Sequence, residues 1–529
     1  MSNYHKHSSK NAIVKQDSND SHHHQVGRRE FLKVAGPAVS AVALSSWSAL
    51  NPLQGATGTR PNIVFIFDDQ YRQDMSKFIP TPGADRLTRE GITFTNGFST
   101  VPLCTPFRGM LMTGRYPTHS GLVMNWVNAN PTLNPHCLAN VFGKAGYETG
   151  FLGKWHLAAG LRVASGLYEA NPEVEMAYKK SHPDTEFVPP GPARLGFDFW
   201  QAYNFHADFN HYWYYEDVPP KIYSKSYETD TLFDQATKFI EKHKNQEKPF
   251  LLVVAPHPPH PPFLPGSLPE GYLEKVPPAS ELYHPPNVPK TDSPRSPQEL
   301  RCYLAMAMNI EDNLVRLMDY LDRSGASRDT ILVFSSDHGE MHGSHGRVNK
   351  MVPYTEAVNI PLIMRWPGRI PAGTVSDTIY TPIDHLPTLC GLAGLQAPGE
   401  VDGEDLSGDV LGRSRSFRSR VLMANYTSHW DFFQTNTVWP EWRGVRTKRY
   451  TYVKWLTGAE ELYDNLDDPY QMRNLVGNDS VSSTLRELRG DLKELMIAAH
   501  DNFLNGRQYA DWYDKDRNLL RSALGPVHR

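Results

Sequence analysis

The sequence predicts an α/β protein: a large, mainly parallel sheet sandwiched by helices, with a smaller C-terminal α+β subdomain containing an antiparallel sheet. Three observations lead there. From Arg60 onward short apolar runs alternate with helical patterns, as βαβ units do. Four of the runs stop at polar residues at their carboxyl ends, where open α/β sheets place their ligands. Beyond a change of composition between residues 399 and 412, the runs alternate apolar with polar residues, as half-exposed antiparallel strands do.

Each element has a local reason. Residues 62–67 are nearly all apolar and stop at Asp68-Asp69. Residues 148–152 stop at Gly153-Lys154-Trp155-His156, residues 250–255 at Pro256-His257, and residues 331–334 at Ser335-Ser336-Asp337-His338. Residues 361–366 read as one more buried strand. Ser296, Pro297 and Glu299 form a capping box with proline at the first helical position, which predicts a helix running to Ser324 and stopped by Gly325. Pro106 and Gly114 bracket a short helix after Cys104. Residues 256–297 are proline-rich and predict an irregular segment of the kind that covers or shapes an active site. Residues 449–453 and 461–463 read as antiparallel strands, and 483–502 as a terminal helix. The expected division is a catalytic domain over 60–400 and a C-terminal subdomain over 401–529.

Composition narrows the function. The 529 residues are 40% hydrophobic and 21% charged, with a formal net charge of −4. No Lys/Arg-rich run offers a nucleic-acid footprint, so an anionic ligand would need a local cluster of cations. Cysteines at 104, 137, 302 and 390 make no disulfide framework and show no zinc spacing; at most one disulfide is expected. Residues 1–27 read as a disordered polar tail. Residues 28–56 open with Arg28-Arg29 and continue into an apolar stretch broken by Gly36-Pro37. This segment resembles a twin-arginine export signal and is too short and weak for a confident transmembrane helix. It implies the twin-arginine export machinery as a partner and a periplasmic or secreted location.

Certain residues carry chemistry. Cys104 is expected just before a helix amino terminus, where partial positive charge stabilises anions, with Arg108 on the first turn. Unmodified, it could be a low-pKa thiolate. Asp68 and Asp69 offer hard oxygen ligands, and Asp337 makes a third carboxylate that calls for a cation. Taken singly, Lys154 and Lys350 would be surface lysines, and His156 a satisfied polar histidine. Nine aromatic residues between Phe199 and Tyr215 could stack on sugar rings or form core, with neither reading favoured.

Cys104-Thr105-Pro106-Phe107-Arg108, followed by Thr113-Gly114, resembles the signature of type I sulfatases, whose cysteine is oxidised to formylglycine. The resemblance extends to Arg60-Pro61-Asn62 running into Asp68-Asp69, Thr81-Pro82 with Asp85-Arg86-Leu87, Gly153-Lys154-Trp155-His156, Asp337-His338-Gly339, Lys350, and Leu462-Tyr463-Asp464 with Asn474-Leu475. It implies an alkaline phosphatase-like fold and hydrolysis of sulfate esters, preferably on sulfated saccharides. It implies a metal shell of Asp68, Asp69, Asp337, His338 and modified Cys104 around calcium, with magnesium second. Family members commonly carry Asn where His338 stands. Arg108, Lys154, His156, His260 and Lys350 are the implied catalytic residues, His260 being preferred to His257 as the leaving-group acid. A formylglycine-generating enzyme is an implied partner. Hydrolysis of phosphonate monoesters or phosphodiesters, and inactive binding of sulfated glycans, are the competing readings.

Overall fold

The computed structural model describes residues 60–159, 186–427 and 441–527. The expected tail and export segment lie outside the described residues. Eight strands build the main sheet: β1 (Asn62–Asp68), β2 (Ile92–Gly97), β3 (Glu148–Lys154), β4 (Phe199–Tyr203), β5 (Phe250–Ala255), β6 (Thr330–Ser336), β7 (Leu362–Arg365) and β8 (Thr374–Tyr380). Their order across the sheet is β8-β2-β7-β6-β1-β5-β3-β4. All neighbours are parallel except β7, which runs antiparallel to both β2 and β6. The expected strand over 361–366 is therefore present, as the one antiparallel member of the sheet.

Parallel strands covered on both faces need apolar residues throughout, which is why β1 reads as a continuous run. Its side chains alternate: Ile63, Phe65 and Phe67 enter one core, Val64 and Ile66 the other. The first core lies under α1 (Cys104–Thr113) and α2 (His385–Leu392). The second lies under α3 (Glu228–His243) and α4 (Pro297–Arg323). Helix α4 has the expected capping box: Ser296 Oγ accepts from the Glu299 amide, and the Glu299 carboxylate accepts from the Ser296 amide. Between β5 and α4 the proline-rich segment holds only short 3-10 turns.

Two boundaries differ from expectation. Cys104 is the first residue of α1 and not the residue before it; Leu103 is the extended cap. The helix ends as predicted at Gly114, whose φ of 64° is left-handed. The terminal helix α5 (Ser482–Ala498) stops four residues short of Asn502, where His500 and Phe503 take positive φ and Asp501 turns inward to Arg443. It packs on an antiparallel sheet of β9 (Arg420–Asn425), β10 (Trp442–Thr447), β11 (Tyr450–Trp455) and β12 (Glu460–Asp464). All four cysteines are buried and unpaired.

Candidate active site

The four central strands β6, β1, β5 and β3 are parallel neighbours, so their carboxyl ends lie side by side. The hydrogen-bond ladder runs on past them. The Asp69 amide donates to Pro256 O at 3.2 Å, and the Asp337 amide to Asp68 O at 3.0 Å. Gly153 at the end of β3 has φ 93°, and a Cβ there would stand 2.3 Å from Ala255 O; only glycine lets Lys154 turn in beside β5.

Cys104, 1% exposed, is the focus. Its Sγ lies 3.3 Å from His338 Nε2, 3.7 Å from Asp69 Oδ1 and 3.9 Å from Lys154 Nζ. Arg108 Nη2 sits between Asp69 Oδ2 and Asp337 Oδ2, at 3.2 Å from each, while its Nη1 donates to Lys154 O. Lys154 Nζ donates to Asp69 Oδ2 at 2.5 Å and to His257 Nε2 at 2.9 Å. Because His257 Nδ1 lies 2.6 Å from His206 O, it carries the proton and Nε2 is free to accept. His260 Nδ1 donates likewise to Pro261 O at 2.8 Å. Lys350 Nζ donates to Gln70 Oε1 at 2.5 Å. His156, with φ 53°, packs its ring against Trp126 and Phe205, and both its nitrogens are buried without a hydrogen bond.

Electrostatics follow from this crowding. Burial alone would raise Asp69, but Lys154 and the surrounding histidines hold its carboxyl well below the usual range. Burial, then Asp69, raises Asp337 to about 7. Burial, with Glu311 behind it, also pushes Asp68 well up. The Cys104 thiol is pushed to about 11 by burial and Asp69, which outweigh Lys154 and Lys350. An unmodified Cys104 is thus a thiol at neutral pH, contrary to the thiolate that a helix amino terminus alone would suggest. Burial and the neighbouring lysines depress His156, His257, His260 and His338.

The residues present fit a divalent cation. Ligand atoms of Asp69, Cys104, Asp337 and His338 lie within 4.8 Å of one another. Asp68 stands outside that foursome, yet both its carboxylate oxygens are buried with no hydrogen-bond partner, an arrangement a hard cation would satisfy.

Sequence reasoning missed Gln70 and left Phe205 open between pocket and core. Gln70 holds Lys350, and its amide donates to Asp337 Oδ1 at 3.1 Å; its only local signal is its place after the two aspartates, with φ 79°. Phe205 lies 4.7 Å from Lys154 Nζ. Most of the other aromatic residues from Trp200 to Tyr215 are buried as core.

A family model described as Sulfatase matches residues 61–395, and one described as N-sulphoglucosamine sulphohydrolase, C-terminal, matches residues 343–498. An ulvan-active sulfatase of Formosa agariphila is 32% identical, over 89% of this chain and 86% of its own. An endo-4-O-sulfatase of Bacteroides thetaiotaomicron is 29% identical, over 82% and 92%. The crystal structure of yidJ from Bacteroides fragilis superposes with a TM-score of 0.72 at 28% identity, covering 85% of this chain and 97% of that one. The fold is thus that of the alkaline phosphatase-like hydrolases. The chain belongs to the sulfatase family and is a sulfuric ester hydrolase.

Proposed function

We propose that the protein removes sulfate from sulfated saccharides, using Cys104 oxidised to formylglycine as nucleophile and calcium held by Asp68, Asp69, Asp337, His338 and residue 104. The observation that carries this reading is the convergence around Cys104 Sγ of Asp69, Asp337, His338 and Lys154 from the carboxyl ends of three parallel strands of one sheet. Its saccharide component rests on the relatives' names, an ulvan-active sulfatase and an endo-4-O-sulfatase among them.

The hydrated aldehyde supplies an oxygen nucleophile that can release sulfate by returning to the carbonyl, and the cation, when bound, offsets charge on the sulfate oxygens. The chain's own residues do the rest. Arg108 locks Asp69 and Asp337 in place, and Lys154 and Lys350 supply positive charge for the sulfate. Asp337 would take the proton of the attacking hydroxyl. Burial first, and then Lys350 and Lys154, hold His260 well below the usual histidine range, so it is neutral in the free enzyme; an anionic sulfate offsets the lysines' share of that depression and would let Nε2 protonate the leaving oxygen. His156 would accept the second hydroxyl's proton. His257, engaged at both nitrogens, positions Lys154.

The Arg28-Arg29 segment would export the enzyme through the twin-arginine machinery, after modification by a formylglycine-generating enzyme. Among the described residues no helix is long and apolar enough to cross a membrane. The test is Cys104→Ala with peptide mass spectrometry. Wild type from its native host should carry formylglycine at 104 and hydrolyse 4-nitrophenyl sulfate in preference to bis(4-nitrophenyl) phosphate. The variant should fold and lose at least 10⁴-fold in kcat, on the order expected for a lost nucleophile. An active Cys104→Ala enzyme would sink the mechanism, and a preference for the phosphodiester would sink the activity.

A further inference from the structure

The strongest unassigned feature is a cavity of about 590 Å³ between the proline-rich segment and α4, within the size range of small-ligand sites. Its charge is one-sided. Arg72, Lys290 and Arg295 line it beside His342, which burial and then the two arginines keep neutral; Tyr283 and Tyr303 supply aromatic surface, and no aspartate or glutamate is among its lining residues. That is unusual in a chain of net charge −4.

Two of the cations are held from outside the cavity. Asp74 grips Arg72 through Nε and Nη2, at 2.7 and 2.9 Å, and Glu299 holds Arg295 Nη1 at 2.9 Å. Arg295 Nε remains buried without an acceptor. The His342 ring stacks on Tyr303 and is 6% exposed, and both its nitrogens lack partners. Lys290 is exposed and meets no carboxylate among the described residues. These are donors prepared for an anionic, hydroxyl-rich guest.

The cavity adjoins the candidate active site. Arg295 Nη2 donates to Asn349 Oδ1 at 3.3 Å, next to Lys350 in sequence. The amides of His342 and Asn349 both donate to Glu340 Oε1, at 3.0 and 2.8 Å, while Glu340 Oε2 accepts from Gln70, the residue that holds Lys350. Arg72 is three residues from Asp69, and Arg295 lies over the ring of Phe263, three residues from His260.

We infer that this cavity is a second saccharide subsite, which binds the sulfate or carboxylate of a sugar adjoining the one being desulfated. The enzyme then acts on a polyanionic oligosaccharide or polymer and uses the neighbouring charge to hold it. The inference rests on the saccharide sulfatase reading above.

Steady-state kinetics on 4-nitrophenyl sulfate, and on size-defined oligosaccharides of ulvan, chondroitin sulfate and heparin, test it with Lys290→Ala, Lys290→Glu and the Lys290→Ala/Arg295→Ala pair. The oligosaccharide that wild type hydrolyses best should lose tenfold or more in kcat/KM in the double variant. The loss should lie in KM, grow in Lys290→Glu, and shrink as salt is raised. Turnover of 4-nitrophenyl sulfate should stay within twofold. Equal losses on both substrates, or no loss on the oligosaccharide, overturn the subsite and leave the sulfatase reading standing. So does a wild type that turns over the aryl sulfate and no oligosaccharide. A wild type inactive on every sulfate ester overturns the reading beneath it.

Discussion

Glu228 offers a quantitative test of how the site is supported. It is the first residue of α3 and is fully buried beneath β5 and β3. Its Oε1 accepts from Tyr203 OH at 2.6 Å and from the His257 amide at 2.9 Å, while Oε2 has no partner. Burial raises its pKa from 4.5 to about 8, against the opposing pull of those two donors and Lys154. A raised carboxyl pKa means that the folded state binds the proton more tightly than the unfolded chain. The resulting stabilisation is complete below pH 4.5 and is lost as pH rises through 8. At ~1.4 kcal/mol per pKa unit, the change across that window is about 5 kcal/mol. Glu228→Gln keeps the acceptor for Tyr203 and the His257 amide but cannot ionise. Denaturant unfolding at pH 5 and pH 9 should therefore show wild type losing about 4 kcal/mol relative to the variant, the remainder of the change lying below pH 5. Infrared difference spectra of the two proteins at pH 6 should show one protonated carboxyl that the variant lacks. Parallel pH profiles, together with no such band, would refute the assignment of a protonated Glu228.

Two further outcomes bear on the site itself. Calcium at a hundredfold excess over its dissociation constant should stabilise wild type by about 2.7 kcal/mol over EDTA-treated protein, and Asp68→Asn should abolish most of that gain; a variant that responds like wild type would remove Asp68 from the cation shell. His260→Ala should lower kcat by about 10²–10⁴-fold on saccharide sulfates and far less on 4-nitrophenyl sulfate, whose leaving group needs little protonation. His257→Ala should affect both substrates alike, and equal losses from His260→Ala would take the acid role from His260.

The parts of the fold legible in the sequence are those whose causes are local. Strands β1, β5 and β6 are runs that had to be apolar on both faces, and α4 carries its own capping box. Strands β2 and β8 went unread because Thr, Asn and Ser break their apolar pattern, and what makes them strands is pairing with each other across almost 300 residues of sequence. Helix α3 has no side-chain cap to announce it, and β4 hides in an aromatic segment that fits core or pocket equally. The site divides the same way. Asp68, Asp69, Lys154, Asp337 and His338 follow directly from strand ends. Gln70, Phe205 and Glu228 act through contacts made only when distant segments meet, and His257 is distinguished from His260 by a carbonyl 51 residues away.

The depth of Cys104 bears on how much working enzyme a cell obtains. The residue is 1% exposed, and Arg108 one turn along the same helix is clamped between two buried aspartates, so the docked α1 shields the thiol from a modifying enzyme. Under the proposed modification, each nascent chain runs a race between oxidation and folding, and a chain that folds first is arrested as a stable, inert product. The active fraction is then a kinetic yield and not an equilibrium property. Substitutions that speed folding would lower it, and raising expression without raising the oxidising capacity would fill the compartment with well-folded protein of falling specific activity.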